Sequence, residues 1–501
     1  MPPAQPVRDA IMLPSRAVCE QARLSRDARF DGRFFTAVRT TGIYCRPVCP
    51  APTPKRDNID YYPSAASAEA AGFRPCLRCR PELSPADGLW RRGDGLVARA
   101  TRLIEDGALD EAPVSALAER LHVGDRHLRR LFVDALGVTP LQLQSTRRLL
   151  FAKQLLTETT LPVTDIALAA GFRSLRRFND AFLDAYGMPP TRLRKALDDA
   201  AAPGPLQLKL AYRPPFDFAA TLAFLRPRAL PGIESVDEAA YRRVIDADGG
   251  WLELREWGRD ESALRLSLHG VGAAALPAIV RRVRRMFDLD AEPQAIRDHL
   301  RHDARLKPLL RVNPGLRLPG GWDGFEVAVR AVLGQQVSVA AATTLATRLV
   351  ARFGHAMAHP VGDSLHTLFP SAEMLTEADV GSIGLTRQRA ETLRTVARAV
   401  ADGRVGFQPG QTLEDFVASW RALPGIGDWT AHYLALRALG HPDAFPAGDL
   451  VLRKQASGDA TLGEKALLAQ AEAWRPWRAY AAIHLWAAAA RSVPPRTRRT
   501  A

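Results

Sequence analysis

The chain has 501 residues, 47% of them hydrophobic and 24% charged, a globular composition that allows about three or four domains with cores of their own. Its formal net charge of +14 and pI of about 10.0 suit a polyanionic partner, nucleic acid first among them, although a basic solvated surface gives the same sum. No apolar run reaches the roughly 18 residues of a membrane span and the N-terminus lacks the continuous apolar stretch of a signal peptide, so no membrane partner and a cytoplasmic location are expected.

The five cysteines, Cys19, Cys45, Cys49, Cys76 and Cys79, all lie near the N-terminus. A disulfide scaffold would spread them through a small secreted chain. Spacings of C-x3-C and C-x2-C instead let Cys45, Cys49, Cys76 and Cys79 meet one Zn2+ as a thiolate tetrahedron. That pattern alone is equally met by a purely structural zinc site. Cys19 stands outside it and reads as a buried or idle thiol. Two breaks follow, at 81–88 (PELSPADG) and 200–205 (AAAPGP), both rich in Pro and turn residues.

Between the breaks lies an internal repeat. Val114-Ser115-Ala116-Leu117-Ala118 returns as Val163-Thr164-Asp165-Ile166-Ala167. Leu128 and Phe132 before Gly137-Val138-Thr139-Pro140 return as Phe178 and Phe182 before Gly187-Met188-Pro189-Pro190. Each copy predicts a short helix, a turn and a second helix with apolar residues at i and i+4, the pattern of a helix-turn-helix whose second helix enters a major groove. Arg126, Arg129 and Arg130, then Arg173, Arg176 and Arg177, fall on or beside those second helices. The plain alternative is a pair of helical hairpins with solvated arginines.

Past the second break the period changes. Leu206, Leu208, Leu210 and Tyr212 alternate, as do Leu264, Leu266 and Leu268, with Trp251-Leu252-Glu253-Leu254 less cleanly so, predicting half-buried antiparallel strands. From about Leu276 the pattern is helical and is expected to stay so. Asp323 with Glu326 predicts a capping box opening a helix through Ala331. Further on, Leu423-Pro424-Gly425-Ile426-Gly427 precedes the helical Asp428-Trp429-Thr430-Ala431-His432-Tyr433. A G-x-G turn before a helix offers backbone amides at the positive end of a helix dipole, which suits a phosphate. Asp449 follows, either as a helix N-cap or as a carboxylate placed for chemistry. Trp429, Tyr433 and Trp486 are either core aromatics or a stacking surface for a base.

Thr40-Thr41-Gly42-Ile43-Tyr44-Cys45-Arg46-Pro47 and Ala71-Gly72-Phe73-Arg74-Pro75-Cys76-Leu77-Arg78-Cys79 resemble the metal-binding domain of Ada-type alkylation-response proteins. The resemblance implies that Cys45 is at once a zinc ligand and the acceptor of a methyl group from a DNA methyl phosphotriester. Zinc keeps the sulfur a thiolate, the nucleophilic form, and a methylated phosphate is neutral, so an anionic site can approach it. Four thiolates on Zn2+ carry a net charge of about −2. Methylation removes one negative charge, worth about 1–4 kcal/mol against a phosphate a few ångströms away, enough to tighten DNA binding. Arg46, Lys55, Arg56, Arg74, Arg78 and Arg80 add phosphate-seeking charge. The repeat resembles the AraC-type DNA-binding domain that follows this zinc module in the same family, with Ala169-Ala170-Gly171-Phe172-Arg173-Ser174 close to its second-copy signature.

The C-terminal region resembles AlkA-type DNA-3-methyladenine glycosylase II of the helix-hairpin-helix superfamily. The likeness rests on Tyr212-Arg213-Pro214-Pro215-Phe216-Asp217, Pro314-Gly315-Leu316-Arg317-Leu318-Pro319-Gly320, Leu333-Gly334-Gln335-Gln336-Val337-Ser338, Trp474-Arg475-Pro476-Trp477-Arg478, and the hairpin with Asp449. It implies Asp449 as catalytic carboxylate and Phe224, Trp429, Tyr433 and Trp486 as the base pocket. It also implies DNA contact by Gln335, Gln336, Gly425, Ile426 and Gly427. Gln336 replaces an apolar wedge and Leu450 a pocket aromatic. Strand-cutting relatives place a lysine where this chain has Trp429, which offers no amine for a Schiff base. Free base and an intact abasic strand are therefore expected.

The expected fold class is multidomain α+β. A small zinc domain with four cysteine ligands spans 1–85, an all-α AraC-type double helix-turn-helix 86–199, an antiparallel α+β subdomain 206–290 and an all-α helix-hairpin-helix bundle 291–501. Zn2+ is the expected cofactor. Double-stranded DNA, alkylated or promoter, is the expected partner of a monomer, with RNA polymerase implied by the activator resemblance. The rival reading is an alkylation-responsive transcription regulator without enzyme activity.

Overall fold

The computed structural model describes residues 13–86, 95–195, 205–245, 249–258, 261–362, 364–408, 410–457 and 461–492. The N-terminal module opens with the helix Arg16–Leu24, capped by the Ser15 side chain. A four-stranded sheet follows, built from β1 (Phe35–Val38), β2 (Ile43–Cys45), β3 (Ile59–Tyr62) and β4 (Arg74–Pro75) in the order β3-β1-β2-β4. β2 pairs β1 antiparallel and β4 parallel. Phe35, Ala37 and Tyr44 pack on Ala65 and Ala68 of a short helix. Cys19 is fully buried beside Ala22 and Phe34, and burial pushes its thiol up to about 11, the behaviour of an inert cysteine.

Both helix-turn-helix copies form where the repeat predicts them. Copy one is Val114–Arg120 with Asp125–Leu136, and copy two is Val163–Ala169 with Leu175–Tyr186. Leu128, Phe132, Phe178 and Phe182 are fully buried. Gly137 and Gly187 end the second helices at φ +70° and +68°, left-handed positions that glycine takes without strain. The long helix Pro140–Glu158, opened by a Thr139–Gln142 capping box, joins the copies.

The next sheet contains β5 (Leu206–Ala211), β6 (Glu234–Val236), β7 (Ala240–Val244), β8 (Trp251–Glu256) and β9 (Ala263–His269) in the antiparallel order β5-β9-β8-β7-β6. Alternation located β5, β8 and β9; β6 and β7 are too short and too charged to show it. The helical region then runs from Leu276–Met286 to Arg478–Ser492, but not without interruption. A hairpin of β10 (His355–Val361) and β11 (Leu365–Leu368) lies inside it, and Leu365 bridges to Gly232 beside the sheet. The expected capping box at Asp323 is only half formed. Asp323 accepts from the Glu326 amide at 3.0 Å, while the buried Glu326 carboxylate pairs with Arg243 and Arg330 instead.

The modules share their interiors. One apolar core runs from Leu149, Phe178 and Phe182 of the repeat to Leu208, Leu264 and Phe287 of the following region. The described part of the first break is not a free linker: Pro81 and Leu83 are buried and the Ala86 amide donates to Asp290 Oδ1 at 2.9 Å. Residues 87–88 and 200–204 of the two breaks lie outside the described residues. No helix among the described residues is long and apolar enough to cross a membrane.

Candidate metal centre, base pocket and DNA-facing helices

β2 ends on Cys45, and a tight turn brings Cys49 back under it, its amide donating to the Arg46 carbonyl at 3.1 Å. The Cys76 amide donates to the Tyr44 carbonyl at 3.0 Å, placing the second pair opposite the first. All four sulfurs lie within 4.8 Å of one another. A tetrahedron with Zn–S bonds of about 2.3 Å needs sulfurs about 3.8 Å apart, so the set fits zinc by donor chemistry and by spacing. Cys76 and Cys79 are buried, whereas Cys45 and Cys49 are half-exposed. The buried pair anchors the loop, and both Cys45 and Cys49 stand at its more open side.

The surrounding cations divide. The sequence expectation put all of them on phosphate, but Arg46 pairs with the buried Asp31 carboxylate and donates to the Cys79 carbonyl at 3.0 Å. Arg80 is held by Glu82 and Glu158 at 3.1 and 2.7 Å. Both serve the fold, because a guanidinium beside a buried carboxylate gains more there than in solvent. Lys55, Arg56, Arg74 and Arg78 remain exposed. Arg74 also reaches the C-terminal end of the helix Leu175–Tyr186, 3.5 Å from the Tyr186 carbonyl, where a cation suits the helix dipole.

Arg126, Arg173, Arg176 and Arg177 are exposed on or just before the second helices of the repeat. Arg129 is half-buried and tied to Asp125 one turn earlier at 2.8 Å. Ser174 caps the second copy by accepting from the Arg177 amide.

In the C-terminal region the hairpin turn depends on Gly425, at φ +86°. A Cβ there would fall 2.1 Å from Thr392 Oγ1. Ile426 is buried and its amide is spent on the Leu423 carbonyl at 3.1 Å, so its contribution is packing under the turn. Gly427 is the N-cap of the helix Asp428–Arg437 and has open space around it. The turn at Gln335 docks onto this hairpin: its side-chain amide donates to the Gly425 carbonyl at 3.0 Å and Thr430 Oγ1 at 3.2 Å, and Arg389 holds its carbonyl at 2.7 Å. Gln336 is thereby thrust out, exposed and at φ +56°, an uncommon conformation for a non-glycine residue and one often found at functional sites.

Trp429 and Tyr433, one turn apart on the same helix, stack at 5.1 Å with 12° between their planes, and Trp486 stands edge-on to Tyr433 at 6.4 Å. Asp449 faces both indoles. Trp429 Nε1 donates to Oδ2 at 3.2 Å and Trp486 Nε1 to Oδ1 at 3.1 Å. The Leu452 amide also donates to Oδ1, at 2.9 Å. Asp449 is thus the N-cap of the helix Leu450–Ser457 and a carboxylate clamped between two tryptophans at once. Phe224 sits apart from this trio. Guanidinium carbons of Arg228 and Arg437 lie 3.9 and 4.9 Å from its ring centroid. Arg437 also donates to the Tyr433 hydroxyl at 3.1 Å. Phe224 therefore seats two cations, one of which, Arg437, also faces the Tyr433 ring at 5.8 Å. Burial pushes Arg228 down to about 10, still cationic at neutral pH. Sequence reasoning missed both arginines because no motif marks them; each is recognisable only from the aromatic ring it covers.

Four family models match in chain order: the metal binding domain of Ada over residues 18–82, a helix-turn-helix domain over 117–196, the AlkA N-terminal domain over 207–323, and the HhH-GPD superfamily base excision DNA repair protein over 329–479. The chain is 40% identical over 481 residues to the probable bifunctional transcriptional activator/DNA repair enzyme AlkA of Mycobacterium tuberculosis (strain H37Rv), covering 93% of this chain and 95% of that one. It is 32% identical over 287 residues to DNA-3-methyladenine glycosylase 2 of Escherichia coli (strain K12), covering 55% of this chain and 95% of that protein. It is 38% identical over 183 residues to the bifunctional transcriptional activator/DNA repair enzyme Ada of the same organism, covering 36% of this chain and 49% of that protein. The metal-binding match spans all four clustered cysteines, and Zn2+ is the cofactor of this module.

Proposed function

The chain belongs to the family of Ada–AlkA fusions, and from that premise we propose that it repairs and reports DNA alkylation in one polypeptide. The C-terminal region is a monofunctional glycosylase that excises alkylated purines such as 3-methyladenine. The N-terminal region takes a methyl group from a DNA phosphotriester onto Cys45, and the repeat reads promoter DNA. The observation that carries the reading is Asp449, held by two indole N–H groups beside a stacked Trp429–Tyr433 pair.

A damaged base flipped from the duplex stacks on these aromatic faces, which return about 1–3 kcal/mol of the cost of flipping. As the N-glycosidic bond breaks, positive charge builds on the sugar. The Asp449 carboxylate stabilises that charge and orients the attacking water. The hairpin amides around Gly425 and Gly427 and the exposed Gln336 hold the DNA backbone and the gap left by the flipped nucleotide. No amine stands at the Trp429 position to form a Schiff base, so water adds to the sugar as the base departs, and the abasic sugar stays in an uncut strand. At the zinc centre the half-exposed Cys45 thiolate attacks the methyl carbon of a neutral phosphotriester, the sulfur–carbon bond forms as the carbon–oxygen bond breaks, and the phosphate leaves as an anion.

Asp449→Asn tests the excision reading. Asn keeps the cap, since Asn and Asp rank alike as N-caps, but removes the charge. Base release from alkylated DNA should fall by roughly 10²–10³-fold, the usual cost of losing one transition-state electrostatic partner, while DNA affinity and thermal stability stay near wild type. Near-normal turnover by this variant, or borohydride trapping of a wild-type protein–DNA adduct, contradicts it.

A further inference from the structure

Arg213 has no solvent exposure. Its backbone follows β5 and belongs to the excision region, yet its side chain is spent largely on the zinc module. Nε donates to the Asp31 carbonyl at 2.7 Å, and Nη2 to the Ala86 and Pro85 carbonyls at 2.6 and 3.2 Å. Nη1 turns back to its own region, donating to the Asp290 carbonyl at 3.2 Å and pairing with Glu292 at 3.3 Å. There is no slack at this junction: a Cβ on Gly32 would fall 1.9 Å from the Pro85 carbonyl oxygen and 2.9 Å from Arg213 Nη2.

Asp31 looks both ways. Its carbonyl holds Arg213, and its carboxylate holds Arg46 Nε at 2.9 and 3.1 Å. Arg46 directly follows Cys45, donates its amide to Cys79 Sγ at 3.3 Å and its Nη1 to the Cys79 carbonyl at 3.0 Å. An unbroken chain of buried or half-buried polar contacts thus runs from the sulfur cluster through Arg46, Asp31 and Arg213 to Glu292. A second tie joins the zinc loop to the repeat: the fully buried Lys153 of the helix Pro140–Glu158 donates to the Cys76 carbonyl at 3.3 Å and pairs with Glu82 at 2.5 Å.

A guanidinium held by carbonyls from two modules is satisfied only when both are folded; withdrawing either leaves a buried charge with unmade bonds. Zinc loops owe their folding to their metal. The geometry points to a thermodynamic linkage through Arg213: zinc at the four cysteines stabilises the excision region, and the folded excision region in turn tightens zinc retention. Linkage of this kind is reciprocal by necessity. It does not rest on which base the pocket accepts or on whether Cys45 is methylated.

Hydrogen–deuterium exchange on the zinc-loaded full chain, without DNA, before and after removal of zinc by a chelator, tests the linkage. Stripping zinc should accelerate exchange in peptides covering 206–217 and 287–292 as well as those covering 31–86, by about 5- to 150-fold, the range typical of coupled sites. Acceleration confined to 31–86 overturns the proposal. Arg213→Lys supplies a second arm, because lysine keeps the charge but cannot span both sets of carbonyls. That variant should lose zinc to the chelator faster than wild type, and zinc removal from it should no longer reach 206–217. Wild-type zinc retention by Arg213→Lys overturns the assignment to that side chain. If Arg213→Lys does not fold, Asp31→Asn weakens only the Arg46 arm and is likewise expected to speed zinc loss, with an unchanged rate counting against the relay.

Discussion

The indole N–H groups of Trp429 and Trp486 both end on Asp449, so two residues to which the proposed function gives base stacking also orient the carboxylate. Phenylalanine separates these roles, since it keeps an aromatic face and removes the donor. A hydrogen bond to a charged group is worth about 1.5–3 kcal/mol, so Trp486→Phe and Trp429→Phe should each lower the rate of base release by roughly 10- to 100-fold with little change in substrate affinity. A rise in KM at unchanged kcat would instead assign the tryptophans to binding alone. His484, two residues before Trp486, is buried, and burial pushes its imidazole down to about 4, against about 6.5 in an unfolded chain. The fold therefore holds the neutral ring. Its contribution, of the order of 3 kcal/mol, is complete above pH about 6.5 and is lost as pH falls toward 4, where the unfolded chain binds the proton first. Thermal unfolding should show wild-type stability dropping across that window and a shallower drop in His484→Leu; parallel curves would show that His484 does not set it. At this scale the sequence was most legible where residue type and spacing coincide, as at the four cysteines, which the fold gathers into one cluster. It was least legible for arginine: Arg46, Arg80 and Arg213 look like any surface cation until the carboxylates and carbonyls that bury them are in place.

Among the elements, the two helix-turn-helix copies were the easiest to read. Their apolar i, i+4 pairs Leu128–Phe132 and Phe178–Phe182 repeat with their glycine stops and become the buried faces of the second helices. Their outer faces differ. Arg129 is tied to Asp125, whereas Arg176 and Arg177 stand exposed in the first turn of their helix. Arg176→Ala should accordingly weaken promoter binding and lower the slope of log affinity against log salt by about 1. Unchanged affinity and slope would return that helix to a solvated face. The strands β6, β7, β10 and β11 were hidden for physical reasons. β10 carries two histidines and a proline, and β6 and β7 hold the buried ion pair of Glu234 with Arg243, so neither follows the apolar alternation by which half-buried strands are recognised.

The whole molecule joins two chemistries directed at one kind of damage. In the proposed function, methyl groups on phosphate meet a half-exposed Cys45 thiolate, and alkylated bases meet Asp449 in an aromatic pocket. A core shared between the repeat and the excision region, and Arg213 between the excision region and the zinc loop, bind these sites into one body. The order of modules in one chain was readable from motifs, but the packing of one module against the next was not. Breaks rich in proline and glycine suggest linkers, and only the described contacts of Pro81, Leu83 and Ala86 show that the first of them is packed. The central claim, that both activities reside in this chain, is tested most directly by one incubation of the zinc-loaded protein with DNA methylated on bases and on phosphates, followed by mass spectrometry of both the protein and the released small molecules. The account predicts free 3-methyladenine in solution, an uncut abasic strand, and one added methyl group on the peptide carrying Cys45 and on no other cysteine. Absence of free base, or a methyl group on Cys49, Cys76 or Cys79 in place of Cys45, would contradict it.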